Sequence, residues 1–166
     1  MTTLPQPGQP PSGTLRSIAH RPNSGDPMAE SASCLLVTGK GLDVETRGGG
    51  VRQVTLLSVE SWSDVCKELG TKLPWHTRRA NLLIDGIDLA ATVGRVVTIG
   101  EARLRIHGES KPCNVMDQQH QGLRAALRPH GRGGVFAEVL TGGTIRVDDV
   151  VVIDGSSFAA LSSSPL

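Results

Sequence analysis

The chain has 166 residues, of which 38% are hydrophobic and 20% charged, and its formal net charge is +1; that suits one domain with a core of its own. Near-neutral charge gives no bulk attraction to nucleic acid, and two Trp, two Phe and no Tyr leave few platforms for stacking bases, so a nucleic-acid partner is not expected. No apolar run approaches the ~20 residues that cross a bilayer, which excludes a membrane helix, and the three cysteines, Cys34, Cys66 and Cys113, are too few, odd in number and far apart for a disulfide framework or structural zinc site.

Residues 1–13 are rich in Pro, Gly and Gln and read as a disordered tail. The tail has neither the basic nor the apolar region of a signal peptide. With the cysteine pattern this favours a reducing, cytoplasmic location. One domain is expected over 14–155, followed by a flexible tail over 156–166. A first strand is expected over 14–19, a turn-rich stretch over 20–27, and a second strand over 33–37. The glycine-rich segment 38–50 leads into the strand-like 51–57 rather than a helix, so it lacks the context of a phosphate-binding loop and reads as a surface connection.

Residues 58–70 form the clearest helix. Ser58 can cap it, Gly70 can end it, and Trp62, Val65, Cys66 and Leu69 fall on one stripe. Cys66 therefore belongs to the core and is expected to be inert, as is Cys34 in its strand. Arg78 and Arg79 stand just before a strand over 82–84; from the residues alone they read as a solvated edge.

From 93 onward strand follows strand. Residues 93–99, the turn Gly100-Glu101 and 102–106 form one expected hairpin. Residues 135–140, the turn Gly142-Gly143 and 144–147 form a second, and Asp148-Asp149 leads to 150–153. Short strands at this spacing predict a mostly β, α+β fold: a closed or nearly closed barrel with peripheral helices. Between the hairpins, Met116, Leu123 and Leu127 keep helical spacing and Pro129 ends the element. His120 reads as a capping or solvent-facing residue, because no metal-ligand partner stands beside it. The run His130-Gly131-Arg132-Gly133-Gly134 either brings Arg132 and backbone N–H groups near an anion or is simply a flexible turn.

Cys113 has the most suggestive setting. It follows the 102–106 strand, and Pro112 bars the residue before it from helix, so it belongs on a loop. Lys111 supplies nearby positive charge, which favours the thiolate, the form that attacks, carries sulfur or ligates metal. The other reading is a small buried hydrophobe.

The ordered set Arg78-Arg79-Ala80-Asn81-Leu82-Leu83-Ile84-Asp85-Gly86-Ile87-Asp88-Leu89, Gly94 through Ile99-Gly100-Glu101-Ala102, Lys111-Pro112-Cys113, Gly122-Leu123, Gly131-Arg132-Gly133-Gly134-Val135 and Thr141-Gly142-Gly143-Thr144-Ile145 resembles the MOSC domain family, named after the C-terminal part of molybdenum-cofactor sulfurase. The likeness spans residues 17–153. It implies a β-barrel with few helices that binds the molybdenum cofactor, molybdopterin. It makes Cys113 the catalytic residue and molybdenum ligand, and Arg78, Arg79, Asn81, Lys111 and Arg132 candidates to hold the pterin and its phosphate. The reaction it suggests is reduction of N-hydroxylated compounds. No cysteine set for an iron–sulfur cluster is present, so electrons would come from an electron-donor protein. Two other readings remain open: a sulfur carrier that receives a persulfide on Cys113 from a sulfur-donor protein, and a barrel that has lost its cofactor.

Overall fold

Along residues 102–106, Ala102, Leu104 and Ile106 are buried while Arg103 is exposed and Arg105 half-buried. This two-residue period is the mark of a strand with one face in a core. The computed structural model describes residues 12–23, 26–45 and 50–157. Its strands are β1 (Ser12–His20), β2 (Ala29–Ser31), β3 (Ser33–Val37), β4 (Gly41–Leu42), β5 (Val54–Ser58), β6 (Leu82–Asp85), β7 (Arg95–Ile99), β8 (Ala102–Glu109), β9 (Val135–Thr141), β10 (Gly143–Arg146) and β11 (Val150–Ser157). The main sheet runs β11-β7-β8-β9-β5-β6-β1-β2, and pairing of β11 with β1 closes seven of those strands into a barrel. A smaller sheet runs β10-β3-β4.

The barrel interior is aliphatic. Leu15, Leu56, Ile84, Leu104, Ile106 and Val139 belong to one buried cluster. β5 and β6 pair in parallel, and such strands need a crossover between them. Helix α1 (Val59–Leu69) supplies it. Ser58 caps α1 by accepting from the Ser61 N–H at 3.2 Å, and Gly70 ends it at φ 69°, where glycine carries no Cβ penalty. Trp62 and Val65 bury the inner stripe of α1 against Met116, Leu123 and Leu127, which forms a second core outside the barrel. The fold class and this helix follow the sequence expectation.

The structure departs from that expectation at several points. The expected pairing of 135–140 with 144–147 does not form: β9 pairs with β8 and β5, and β10 crosses to β3. Gly142 explains the change of sheet. Its N–H donates to Thr38 Oγ1 at 2.9 Å, and a Cβ there would lie 2.6 Å from the Leu36 carbonyl oxygen. The chain therefore passes in direct contact with β3, and Glu101 accepts from the Thr144 N–H at 3.0 Å as β10 begins. The Gly100-Glu101 hairpin forms as expected, with Ile99 opposite Ala102.

The expected helix around Met116 and Leu127 is two short helices, α2 (Asn114–Gln119) and α3 (Leu123–Leu127), broken where Gly122 takes φ 88°. The first strand begins before residue 14: Ser12 and Gly13 are already in β1, opposite Val152 and Val151. At the other end β11 runs to Ser157, two residues into the tail expected over 156–166; the rest of the two expected tails, 1–11 and 158–166, lies outside the described residues.

Candidate functional site

Beyond β8 the Ser110 N–H donates to the Gly134 carbonyl at 2.8 Å, and the chain then runs through Pro112 to Cys113, which is extended at φ −124° just before α2. Cys113 is exposed rather than buried. It opens into a cleft of about 280 Å³ lined by Arg21, Arg52, Arg78, Arg79, Thr55 and Ser110, with Val115 and Met116 as its apolar wall. Among the described residues, four guanidinium groups therefore line the same cleft as the thiol and no acidic side chain does.

Arg78 is buried, at 8% exposure, and works inside the protein. Its Nε donates to the Gly133 carbonyl at 3.1 Å, and its Nη2 donates to the Ser110 carbonyl at 2.8 Å and hydroxyl at 3.2 Å. Nη1 approaches the Met116 sulfur at 3.7 Å. The planar fork thus ties the Cys113 segment to the 130–134 turn, a task that a lysine's single point charge cannot reproduce. Burial pushes the Arg78 pKa down; Cys113 opposes this electrostatically and Arg52 adds to it.

Arg79 differs from its neighbour. It takes a left-handed backbone at φ 67°, with its N–H donating to the His76 carbonyl at 2.8 Å. Its side chain has no partner among the described residues and borders both the Cys113 cleft and a second recess lined by Asp26, His76 and Gln119. The pair Arg78-Arg79 therefore divides into one buried clamp and one available cation.

Sequence reasoning missed Arg21 and Arg52. Arg52 lies 4.6 Å over the ring of Phe136, whose other neighbour is His107, stacked at 6.5 Å and 8°. His107 Nε2 is in turn 2.9 Å from Glu138 Oε1. This stack holds a long cationic side chain at the mouth of the cleft. The Arg21 N–H donates to Glu45 at 3.0 Å, which fixes the backbone there. Neither arginine is near Cys113 in sequence, and only closure of the barrel brings them together.

Three other expected residues lie elsewhere. Asn81 is 1% exposed and its side chain is fully occupied: Oδ1 accepts from the Thr55 N–H at 3.0 Å and hydroxyl at 3.1 Å, and Nδ2 donates to the Ala19 carbonyl at 3.2 Å and Glu45 at 3.3 Å. It pins β1, β5 and β6 together and has no group left for a ligand. Arg132 turns away from the cleft, donating to Glu68 at 3.3 Å and the Ala126 carbonyl at 3.1 Å. Lys111 is exposed and lines a neighbouring cavity, not the cleft. Of the remaining thiols, Cys34 is raised from 9.0 to about 11, first by burial and then by Glu45 and Asp43. Cys66 packs beside the second core, with its sulfur 4.0 Å from the Leu73 carbonyl oxygen.

Residues 43–152, well over half of the chain, match the family model of the MOSC domain. The chain belongs to the MOSC domain family. Solved structures place the MOSC fold over nearly its whole length. The YuaD protein of Bacillus subtilis superposes with a TM-score of 0.75 at 17% identity, over 86% of this chain and 95% of that one. YiiM of Geobacillus stearothermophilus gives 0.63 at 16% identity, over 91% and 82%. YiiM of Escherichia coli gives 0.62 at 17% identity, over 96% and 80%. At these identities the likeness is one of fold. No curated protein matches the chain. Among the described residues of this MOSC domain, no three His, Cys, Asp or Glu side chains gather as a metal site, and no helix is long and apolar enough to cross a membrane.

Proposed function

We propose that this MOSC protein binds the molybdenum cofactor in the arginine-lined cleft, with Cys113 as metal ligand, and reduces N-hydroxylated compounds. The observation that carries the reading is the exposed Cys113 thiol facing a cleft bordered, among the described residues, by four arginines and no carboxylate. The donor set fits such a group. A thiolate is a soft metal ligand, and the guanidinium groups of Arg21, Arg52 and Arg79 have room for the phosphate and pterin oxygens. When bound, the cofactor supplies two-electron oxo transfer, which the protein itself cannot perform.

The residues of the chain would then divide the work. Arg78 fixes the segment that carries Cys113. Arg52, backed by Phe136, and Arg79 attract and orient the anionic group. Val115 and Met116 exclude water from one wall of the cleft. Electrons would arrive from a separate electron-donor protein, and the cytoplasm is the fitting compartment. Nucleic acid and membrane have no part in this reading. Reduction of an N-hydroxylated test compound by cofactor-loaded protein with an artificial electron donor, abolished in Cys113→Ser, tests it; absence of turnover in fully loaded protein contradicts it.

The exposure of Cys113 favours a second reading, a sulfur carrier that receives a persulfide from a sulfur-donor protein. Persulfide labelling at Cys113 in metal-free protein, after incubation with a sulfur donor, distinguishes the two.

A further inference from the structure

Next to the Cys113 cleft lies another cavity, of about 320 Å³, which shares Ser110 with the cleft and no other lining residue. Its charged groups are Lys111, Arg124, Arg128 and Glu109, and Leu127 and Pro112 give it an apolar wall. The volume is at the small end of ligand pockets. The 130–134 turn closes it. A Cβ on Gly133 would stand 2.4 Å from the Ser110 carbonyl oxygen and one on Gly131 would stand 2.8 Å from the Ala90 Cβ, so only glycines let the turn pack this closely.

Two of the three cations here are free of the protein. None of Lys111, Arg128 or Glu109 joins an ion pair or side-chain hydrogen bond among the described residues. Arg124 donates through Nη1 to Asn114, the residue after Cys113, while its Nε is buried and has no partner among the described residues. Among the described residues, three cations against one carboxylate leave a local surplus of two positive charges. A phosphate monoester, at roughly −1.5 to −2 near pH 7, matches that surplus where a monocarboxylate does not. Arginine forks suit its oxygens, and the apolar wall suits a small carbon body.

We propose that this cavity is a phosphate-monoester site, separate from the arginine cleft at Cys113, which takes a small phosphorylated molecule. The site does not depend on Cys113 holding a metal. Through Arg124 and Asn114 its occupant is linked to the residue that follows the thiol.

Titrating the full-length protein with inorganic phosphate while following backbone amides by NMR tests this site by site. In the wild type the amides of Arg128, Gly131 and Gly133 shift saturably. In Arg128→Glu, whose side chain is exposed and therefore dispensable for folding, the apparent affinity at these amides falls at least tenfold. In Arg79→Glu, altered in the other cleft, the same amides respond within threefold of the wild type. The assignment is overturned if these amides do not respond in the wild type, respond unchanged in Arg128→Glu, or lose their response in Arg79→Glu. Lys111→Glu, which removes a second exposed cation, is expected to repeat the Arg128→Glu result, and an unaltered response there also overturns it.

Discussion

The Arg78 guanidinium donates to Ser110 twice, to the carbonyl at 2.8 Å and the hydroxyl at 3.2 Å, from a position that is 8% exposed. It thereby sets the path of the segment that presents Cys113. Removing it strands the Ser110 and Gly133 carbonyls in a buried setting. Arg78→Ala is expected to lower the unfolding free energy by roughly 2–4 kcal/mol, from the cost of leaving such groups unpaired. Urea denaturation measures this. A change below about 0.5 kcal/mol, the range of an inert surface substitution, would contradict the clamp.

Asn81 makes a parallel case. All four of its side-chain hydrogen bonds go to the protein, so its task is stability rather than ligand binding. Asn81→Ala is expected to cost about 2–4 kcal/mol, because Thr55 and Ala19 lose buried partners. Cofactor or anion affinity, measured at a temperature where the variant is still folded, is expected to stay within threefold of the wild type. A selective loss of affinity with unchanged stability would show the reverse.

Arg52 owes its place to Phe136. Phe136→Leu removes the ring on which the guanidinium lies at 4.6 Å, an interaction of about 0.5–1 kcal/mol at an exposed site. Weaker binding of anions in the Cys113 cleft, by about two- to fivefold, is the expected result, against a larger loss in Arg52→Ala. Calorimetric titration of both variants gives the comparison. Equal affinity in all three proteins would remove Arg52 from the site.

Cys34 predicts a pH effect. Its folded pKa is raised from 9.0 to about 11, so the unfolded chain releases the proton first as pH rises. The stability it contributes is therefore complete below about pH 9 and is lost progressively toward pH 11. Melting curves should fall more steeply across that window in the wild type than in Cys34→Ala. Parallel curves would mean that the thiol titrates alike in both states.

Much of the fold was legible because it rests on local rules. The Ser58 cap, the Trp62 stripe and the Gly70 stop define α1, and a two-residue turn defines the β7–β8 hairpin. The loop setting of Cys113 followed from Pro112, whereas its exposure is decided by the fold. What escaped depends on contacts distant in sequence. The partner of β10 is decided by the close approach of Gly142 to Leu36, which no local signal carries. Arg21 and Arg52 are ordinary surface residues until the barrel closes. Asn81 and Arg132 belong to segments that the family resemblance singled out, yet their side chains face Thr55 and Glu68. A resemblance locates segments, while burial and hydrogen bonding decide which side chains remain available to a ligand.

The proposed function rests on Cys113 holding a molybdenum cofactor in the arginine cleft. Its most direct test is molybdenum content by elemental mass spectrometry, together with fluorescence of the oxidised pterin, on wild type and Cys113→Ser expressed in a cofactor-competent host. Because Cys113 is exposed, the substitution should leave the melting temperature nearly unchanged. Near-stoichiometric metal is expected in the wild type, and its loss in Cys113→Ser. Metal retained at the wild-type level in the variant, or neither metal nor pterin in the wild type, would contradict it.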